Sequence, residues 1–388
     1  MQAVQKNDKN NLNPDPLSFI FYINTFYPVI GGAQTQAITL ASQCTAQNTK
    51  VTIVTRQIKK TKKFEKIDTI DIVRLFSFGG HYLKAFSFAL SSLLYFFKSR
   101  HNFSVIQTFQ MDSNALTASI AGMLLRKKVI IRIAGSGKTG EFATHDNFLG
   151  KLAFTIIRKL AKGFIVLNNQ SKDDLLNRQV QSEKICLLRN GVNIKLHHPV
   201  QQEEVNNLKT HLKISQKFIF LFVGRLASPK KLNLLLNVWK SIEDENSFLF
   251  ILGKGPDKDK LQSKIIKENI PRVLITYSSN PADYYKICDI FVFLSDAEGT
   301  PNALLEAMAH KKIIFCSNIP GINEIIQDGY NGILVKNDKK NIAQKIQTVR
   351  KNISIYNKMR EKTLETILLK YTIDKIAINY IQFIKNTN

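Results

Sequence analysis

Two glutamates, Glu298 and Glu306, lie eight positions apart in the segment DAEGTPNALLEAMA, directly after the apolar run DIFVFLS. Thr300 is a good helix N-cap and Pro301 suits the first helical position, so we predict a helix that begins there. A helix N-terminus at the carboxyl end of a parallel strand is a favourable place for a diphosphate. Glu306 could then bind two neighbouring ribose hydroxyls, and Glu298 could meet a sugar or its developing positive charge.

Either glutamate taken alone is typical of a solvated helix residue. The two together, with the helix cap and the preceding strand, favour a binding site over that alternative. A parallel sheet must therefore present this segment at its carboxyl edge.

The first half of the chain alternates short apolar, β-branched runs with segments long enough for helices, a pattern typical of a largely parallel sheet. We predict strands at residues 18–23, 51–55, 70–75, 105–108, 129–133 and 163–167.

After a polar stretch at residues 197–216, the same pattern starts again. It predicts a second doubly wound sheet with strands at 218–223, 248–252, 273–277, 290–294, 313–316 and 332–335. From Lys339 onward the chain is predicted to be helical. One face of the last segment carries six regularly spaced apolar or aromatic side chains, at Ile373, Ile376, Ala377, Tyr380, Ile381 and Ile384.

These patterns indicate an α/β chain with two Rossmann-like domains. We predict a disordered tail at residues 1–16, a first domain at 17–198, a second domain at 199–370 and a terminal helix at 371–388. The turn at Asn190 and Gly191 and the break at Pro199 mark the linker between the domains.

Length and composition exclude fibrous, collagen-like and wholly disordered classes, because the 388 residues are 44% hydrophobic and 22% charged. The polar start of the chain lacks the apolar core of a secretory signal, and the apolar run at residues 85–97 is shorter than the ~20 residues of a membrane span. The four widely separated cysteines suggest neither a disulfide framework nor a zinc cluster. We therefore expect a cytoplasmic protein.

The segment from Glu298 to Glu306 resembles the Glu, seven residues, Glu signature of glycosyltransferase family 4, whose retaining enzymes have the GT-B fold. The resemblance continues through the Pro-Gly, glutamate, Asp-Gly and glycine pattern of SNIPGINEIIQDGYNGILV. It implies two Rossmann-like domains facing a cleft, with the second domain binding a nucleotide-diphosphate sugar. It also implies that the terminal helix packs back on the first domain.

The family resemblance extends to the segment FLFVGRLASPKK. In the family, an arginine and a lysine there hold the leaving diphosphate, which implies catalytic roles for Arg225 and Lys230 beside Glu298. Lys231 stands where the family usually has glycine, so which lysine points inward stays open. Two fixed cations would stabilise the displaced diphosphate without a metal. The resemblance implies donor binding by Gly31, Gly32, Gly224, Glu306, Thr300, Pro301 and Asn302.

The segment GKGPDKDKL matches the family's second glycine-rich turn and carries Asp257 and Asp259. We interpret these acidic residues as the start of a helix, where they favour the helix dipole, rather than as metal ligands. We therefore expect no metal and no cofactor other than the donor substrate.

The segment IIRIAGSGKTGEF is neither a dinucleotide-binding motif nor a P-loop. A dinucleotide-binding motif needs an acidic residue further along the chain, and none follows this segment at a useful distance. A P-loop needs a glycine at the position that Arg132 occupies. In many family members this strand ends in a histidine that helps bind the donor sugar, and Ala134 takes that place here. We interpret Gly135, Ser136 and Gly137 as part of an acceptor-side loop.

His145 could substitute for the missing histidine, although a lone loop histidine more often has no special role. A second open question is the apolar run at residues 85–97, flanked by Lys84, Lys98 and Arg100. It fits either an amphipathic helix that docks on anionic lipid or a buried helix of the first domain.

We expect transfer of a sugar, with retained anomeric configuration, from a nucleotide-diphosphate sugar to a glycan or lipid-linked acceptor in surface polysaccharide or glycolipid synthesis. Partners would be the donor, the acceptor and an anionic membrane at the inner face, with no nucleic acid. Two alternatives stay open. One is a binding protein with reduced catalysis, and the other is a basic membrane or nucleic-acid binder, which the net charge of +25 would suit.

Overall fold

The computed structural model describes residues 17–135, 140–142, 147–214, 218–242, 244–278 and 280–387. Within these ranges the chain forms two sheets flanked by helices. The predicted tail at residues 1–16 lies outside the described residues.

The first sheet has eight strands in the order β3-β4-β2-β1-β5-β6-β7-β8, parallel throughout except for the antiparallel pair of β3 and β4. Their bounds are β1 Ser18–Ile23, β2 Lys50–Arg56, β3 Phe64–Ile67, β4 Ile70–Leu75, β5 Val105–Thr108, β6 Lys128–Ile133, β7 Gly163–Val166 and β8 Ile185–Leu187.

Five helices within the described ranges accompany the first sheet. They are α1 Gly32–Ala46, α2 His81–Lys98, α3 Ser113–Leu125, α4 Phe148–Leu160 and α5 Asn169–Asn177. Buried side chains of α2, α3 and α4 pack on one face of the sheet, and those of α1 pack on the other. The sheet is therefore covered on both faces, which explains why its central strands are continuous apolar runs.

The second sheet has six strands, all parallel, in the order β11-β10-β9-β12-β13-β14. Their bounds are β9 Phe218–Val223, β10 Ser247–Leu252, β11 Val273–Thr276, β12 Ile290–Phe293, β13 Ile313–Ser317 and β14 Ile333–Val335. The strand order reverses between β9 and β12, and a ligand site is expected at the carboxyl ends of these two strands.

The remaining helices follow or interleave with the second sheet. They are α6 Gln202–His211, α7 Leu232–Lys240, α8 Lys258–Lys267, α9 Ala282–Ile287, α10 Asn302–Ala309, α11 Lys339–Lys351, α12 Asn357–Lys370 and α13 Ile373–Asn386. The six predicted side chains of α13 are all buried, and they join α1 in the core of the first sheet. The last helix therefore returns to the first half of the chain.

Two strands were not predicted from the sequence. Three of the four side chains of β3 are exposed, and two of these are charged. The sequence of this edge strand is therefore typical of a solvated turn. The strand β8 is only three residues long. The polar stretch after His197 contains the short helix α6, which has no buried residue.

Candidate active site

Two of the predicted site residues, Lys230 and Glu298, meet at the carboxyl ends of β9 and β12. Lys230 and Glu298 lie in the loops after these two strands, and their side chains form an ion pair. Both side chains are largely shielded, with 19% and 11% of their surface exposed. The Lys230 ammonium also lies 4.6 Å from the centre of the Phe293 ring. Lys230 and Glu298 therefore place a cation and a carboxylate next to each other at the carboxyl edge of the second sheet.

The neighbouring lysine points elsewhere. Lys231 has a backbone φ of +45°, in the left-handed region that favours glycine, which explains the glycine usual at this position in the family. Its ammonium lies 2.9 Å from a carboxylate oxygen of Asp296, and both side chains are more than a third exposed. Lys230 is therefore the lysine that contacts Glu298.

Arg225 lies just after β9 and is exposed. In the part of the chain that the structure describes, its guanidinium has no hydrogen-bond partner or counter-ion. Next to it, Gly224 leaves room for the ring of Phe222, which would lie 3.0 Å from an added Cβ. A Cβ at Gly253 would lie only 1.9 Å from the carbonyl oxygen of Gly224, so the second glycine-rich turn packs directly against this loop.

The start of α10 differs from the sequence prediction. The helix begins at Asn302, with Pro301 at the N-cap position and no side-chain cap. The predicted cap is wrong because the Thr300 hydroxyl donates to the carbonyl oxygen of Leu167, 3.0 Å away in the first half of the chain. Thr300 therefore joins the two halves of the molecule.

Asn302 makes a similar connection. Its amide nitrogen donates to the carbonyl oxygen of Gly32 at 3.0 Å, and its amide oxygen accepts a hydrogen bond from Asn190 at 2.6 Å. Gly31 takes the N-cap position of α1, which begins at Gly32. The paired glycines after β1 and the first residue of α10 therefore come together.

The loop that carries Glu298 packs closely against the first half of the chain. An added Cβ at Gly299 would lie 2.2 Å from the carbonyl oxygen of Ala134, the residue that takes the place of the family's histidine. The side-chain amide of Asn168 donates to the carbonyl oxygen of Glu298 at 2.9 Å. Contacts from the first half of the chain therefore hold the backbone of this loop.

The predicted acceptor-side residues are only partly described. Gly135 lies two residues after β6, and an added Cβ there would be 3.6 Å from the Cα of Gly140. Ser136, Gly137 and His145 lie outside the described residues.

Sequence reasoning missed Glu141, whose carboxylate accepts hydrogen bonds from the backbone amides of Met111 at 2.8 Å and Ala134 at 3.1 Å. Burial is the main cause that raises the pKa of Glu141 to about 7. No motif of the sequence marks this residue, because its partners come from the ends of two separate strands.

Glu306 lies in the second turn of α10, and one of its oxygens accepts a hydrogen bond from the buried hydroxyl of Tyr285 at 2.8 Å. Tyr285 was also missed, because it lies in an ordinary amphipathic stretch. Among the described residues, no group of three His, Cys, Asp or Glu side chains is arranged to hold a metal ion. Asp257 and Asp259 lie at the start of α8, as predicted.

Two solved structures show which fold this chain has. HepE of Anabaena, solved with UDP and glucose, superposes with a TM-score of 0.80 at 14% identity, covering 95% of this chain and 100% of that one. WaaG, a glycosyltransferase involved in lipopolysaccharide biosynthesis, superposes with a TM-score of 0.75 at 13% identity, covering 95% and 100%. The chain has the GT-B fold of two Rossmann-like domains.

Two family profiles match successive parts of the sequence. The profile described as Glycosyltransferase Family 4 matches residues 30–196, and the one described as Glycosyl transferases group 1 matches residues 204–366. The chain therefore belongs to glycosyltransferase family 4.

Two curated relatives resemble this chain at about a quarter of the aligned positions. The N,N'-diacetylbacillosaminyl-diphospho-undecaprenol alpha-1,3-N-acetylgalactosaminyltransferase of Campylobacter jejuni is 25% identical over 72% of this chain and 76% of its own length. The capsular polysaccharide biosynthesis glycosyltransferase CapM of Staphylococcus aureus is 26% identical over 48% of this chain, and the match spans about half of CapM, 52% of its length.

Proposed function

We propose that this protein transfers a hexosyl or related sugar from a nucleotide-diphosphate sugar to a glycan or lipid-linked acceptor, with retention of anomeric configuration. The observation that carries the proposal is the shielded ion pair of Lys230 and Glu298, which joins the loops after β9 and β12. Surface polysaccharide or glycolipid synthesis is the process that we propose for it.

Each group has a role that follows from its charge. Lys230 and Arg225 would neutralise the leaving diphosphate, and fixed cations of this kind act without a metal. The carboxylate of Glu298 would orient the sugar and stabilise positive charge at its anomeric carbon, while Glu306 accepts hydrogen bonds from the ribose. Departure of the diphosphate from the same face that the acceptor hydroxyl attacks would retain the configuration.

The donor is the first part to test. Thermal stability should be measured against UDP-, GDP-, ADP- and dTDP-sugars and their free diphosphates, because a ligand at 100 times its Kd stabilises by about 2.7 kcal/mol. We expect a selective shift that Glu306→Ala abolishes. With the donor known, NMR of the anomeric proton in donor and product tests retention. If none of these nucleotides shifts the stability, a binding protein with reduced catalysis becomes the better hypothesis.

The acceptor proposal draws on the relatives. The name of the Campylobacter jejuni relative describes a diphospho-undecaprenol acceptor, and that of the CapM relative describes capsular polysaccharide synthesis. We propose the same chemical class here, a sugar on a polyprenyl diphosphate. Incubation of the donor with polyprenyl-diphosphate sugars and with free oligosaccharides separates the lipid-linked acceptor from a soluble glycan.

We further propose that the protein docks on the inner face of an anionic membrane through α2. Every fourth residue from Tyr82 to Leu94 is exposed, at 86% for Tyr82 and 69% for Phe86, while Phe88 and Phe96 are buried in the core. One face of the helix is therefore buried in the first domain, and the exposed apolar side chains of the other face support the docking proposal. Further large apolar side chains are exposed at Phe76, Phe78, Leu83, Phe97, Phe148, Leu149 and Leu152.

Charge supports the same docking proposal. Residues 17–198 carry 25 Lys and Arg side chains against nine Asp and Glu, a net charge of +16 out of the +25 of the whole chain. The helix α2 contains no acidic residue, it ends at Lys98, and Arg100 follows it two residues later. No helix within the described ranges is long and apolar enough to cross a membrane.

Vesicle sedimentation tests the docking proposal. We expect binding to vesicles that contain phosphatidylglycerol, weak binding to pure phosphatidylcholine, and at least a fivefold loss in the variant Phe86→Ser, Leu90→Ser, Leu94→Ser. The matched control is Leu368→Ser with Leu369→Ser, which removes exposed apolar side chains from α12. Equal binding by both variants would contradict the proposal. Steeply salt-dependent binding to duplex DNA instead would favour the nucleic-acid alternative.

A further inference from the structure

Tyr285 and Glu306 form a partly buried contact between two helices of the second domain. Tyr285 lies on α9 with none of its side chain exposed, and its hydroxyl donates to the Oε2 atom of Glu306 on α10 at 2.8 Å. An ionised carboxylate only accepts hydrogen bonds, so the direction of this one is set. The contact fixes one of the two carboxylate oxygens of Glu306.

The ring of Tyr285 is itself held by two histidines. The imidazole of His310, four residues after Glu306, stacks on the tyrosine ring with centres 5.6 Å apart and planes 12° apart. His197, from the segment that joins the two halves, packs edge-on against Tyr285 at 5.9 Å and against His310 at 5.4 Å. The hydroxyl of Tyr285 therefore has little freedom to move away from Glu306.

The electrostatics of this cluster keep the phenol a donor. Burial, with a smaller contribution from Glu306, raises the pKa of Tyr285 well above its usual value of 10, so the hydroxyl keeps its proton. Burial lowers the pKa of His310 to about 2 and also lowers that of His197. Both imidazoles are therefore neutral near pH 7, and neither competes as a cation for the carboxylate.

We propose that Tyr285 is a positioning residue for donor binding, since its hydroxyl holds Oε2 of Glu306 and leaves Oε1 to accept hydrogen bonds from the ribose. Within the described ranges the Glu306 carboxylate has no other hydrogen-bond partner. The inference rests on the proposed function, in which Glu306 binds the ribose. If Tyr285 only needed a hydrogen-bond acceptor for its buried hydroxyl, it would stabilise the fold and would not affect binding of the ribose.

The substitution Tyr285→Phe tests the proposal because it removes the hydroxyl and keeps the ring. We expect the KM for the nucleotide sugar and the Kd for UDP each to rise about tenfold, while kcat stays within about twofold. Binding of 2′,3′-dideoxy-UDP, which has no ribose hydroxyls for Glu306 to bind, should be unchanged. The matched control is Tyr284→Phe, because the adjacent ring packs on Phe250 and is far less buried. It should bind UDP as the wild type does.

Two outcomes would overturn the proposal and are distinguishable. If Tyr285→Phe lowers the melting temperature but binds UDP and its dideoxy analogue as the wild type does, Tyr285 is structural only. If Glu306→Ala also leaves UDP binding unchanged, Glu306 does not bind the ribose, and the positioning role proposed for Tyr285 is wrong as well. In the Glu306→Ala background, Tyr285→Phe should add less than a twofold loss, since the carboxylate that it positions is gone.

Discussion

The ammonium of Lys230 and the carboxylate of Glu298 form an ion pair that joins the loop after β9 to the loop after β12. Both side chains are largely shielded from solvent, so each would be an uncompensated charge if its partner were removed. The adjacent pair of Lys231 and Asp296 has the same chemistry but is more exposed. The two pairs therefore provide matched variants for several experiments.

We expect Lys230→Met to lower kcat by about 100-fold or more, since it removes a fixed cation from the leaving diphosphate. Lys231→Gly should keep kcat within about twofold. It should also keep or raise the melting temperature, because the left-handed φ of +45° costs a non-glycine residue about 1 kcal/mol while the exposed ion pair contributes about 0–1 kcal/mol. Steady-state kinetics and thermal unfolding check both variants. Loss of activity in Lys231→Gly alone would reverse the assignment of the two lysines.

Glu298→Gln should reduce kcat by about 100-fold or more and leave the Kd of the free nucleoside diphosphate nearly unchanged, because the carboxylate acts on the sugar. Asp296→Asn is the control, since its exposed pair with Lys231 should contribute little to activity. Isothermal titration and initial rates measure the two quantities. Full turnover by Glu298→Gln would remove Glu298 from the catalytic set.

Gly299→Ala should destabilise the protein by about 1–3 kcal/mol and weaken catalysis, because the new Cβ would lie 2.2 Å from the carbonyl oxygen of Ala134 and displace the loop that carries Glu298. Gly80→Ala is the matched control, since a Cβ there would have no neighbour within 4 Å. Urea unfolding and initial rates report the two effects. Equal stabilities of the two variants would show that the loop tolerates a shift.

Glu141 should make the free energy of unfolding depend on pH. Its pKa is raised by burial from the usual 4.5 to about 7, so the folded state holds a proton that the unfolded state releases. The contribution of Glu141 to the free energy of unfolding is fully present below about pH 4.5. It is lost as the pH rises to 7, and the loss is about 3 kcal/mol at most. Urea unfolding at pH 5, 6, 7 and 8 should show a smaller decline in Glu141→Gln than in the wild type.

His310 contributes the opposite trend, because its lowered pKa makes the folded state lose stability as pH falls below 6.5. This contribution is the same in wild type and Glu141→Gln, so it cancels in the difference between them. Parallel pH profiles of the two proteins would contradict the role of Glu141.

Most of the fold was predictable because a strand buried on both faces is a continuous apolar run that local sequence reveals. The strands β1, β4, β5 and β9 lie at the predicted residues, and α13 buries the predicted face. The edge strand β3 was missed because its exposed, charged residues carry no such pattern.

The sequence by itself determined the two-sheet architecture and the segment that holds Glu298 and Glu306, since both depend on patterns within about twenty residues. The tertiary structure decided which lysine meets Glu298, what the Thr300 hydroxyl binds and that Tyr285 holds Glu306. The partner of Thr300 is 133 positions away, and that of Tyr285 is 21 positions away on another helix. Such contacts follow from how strands and helices pack, which local patterns of residue type do not specify.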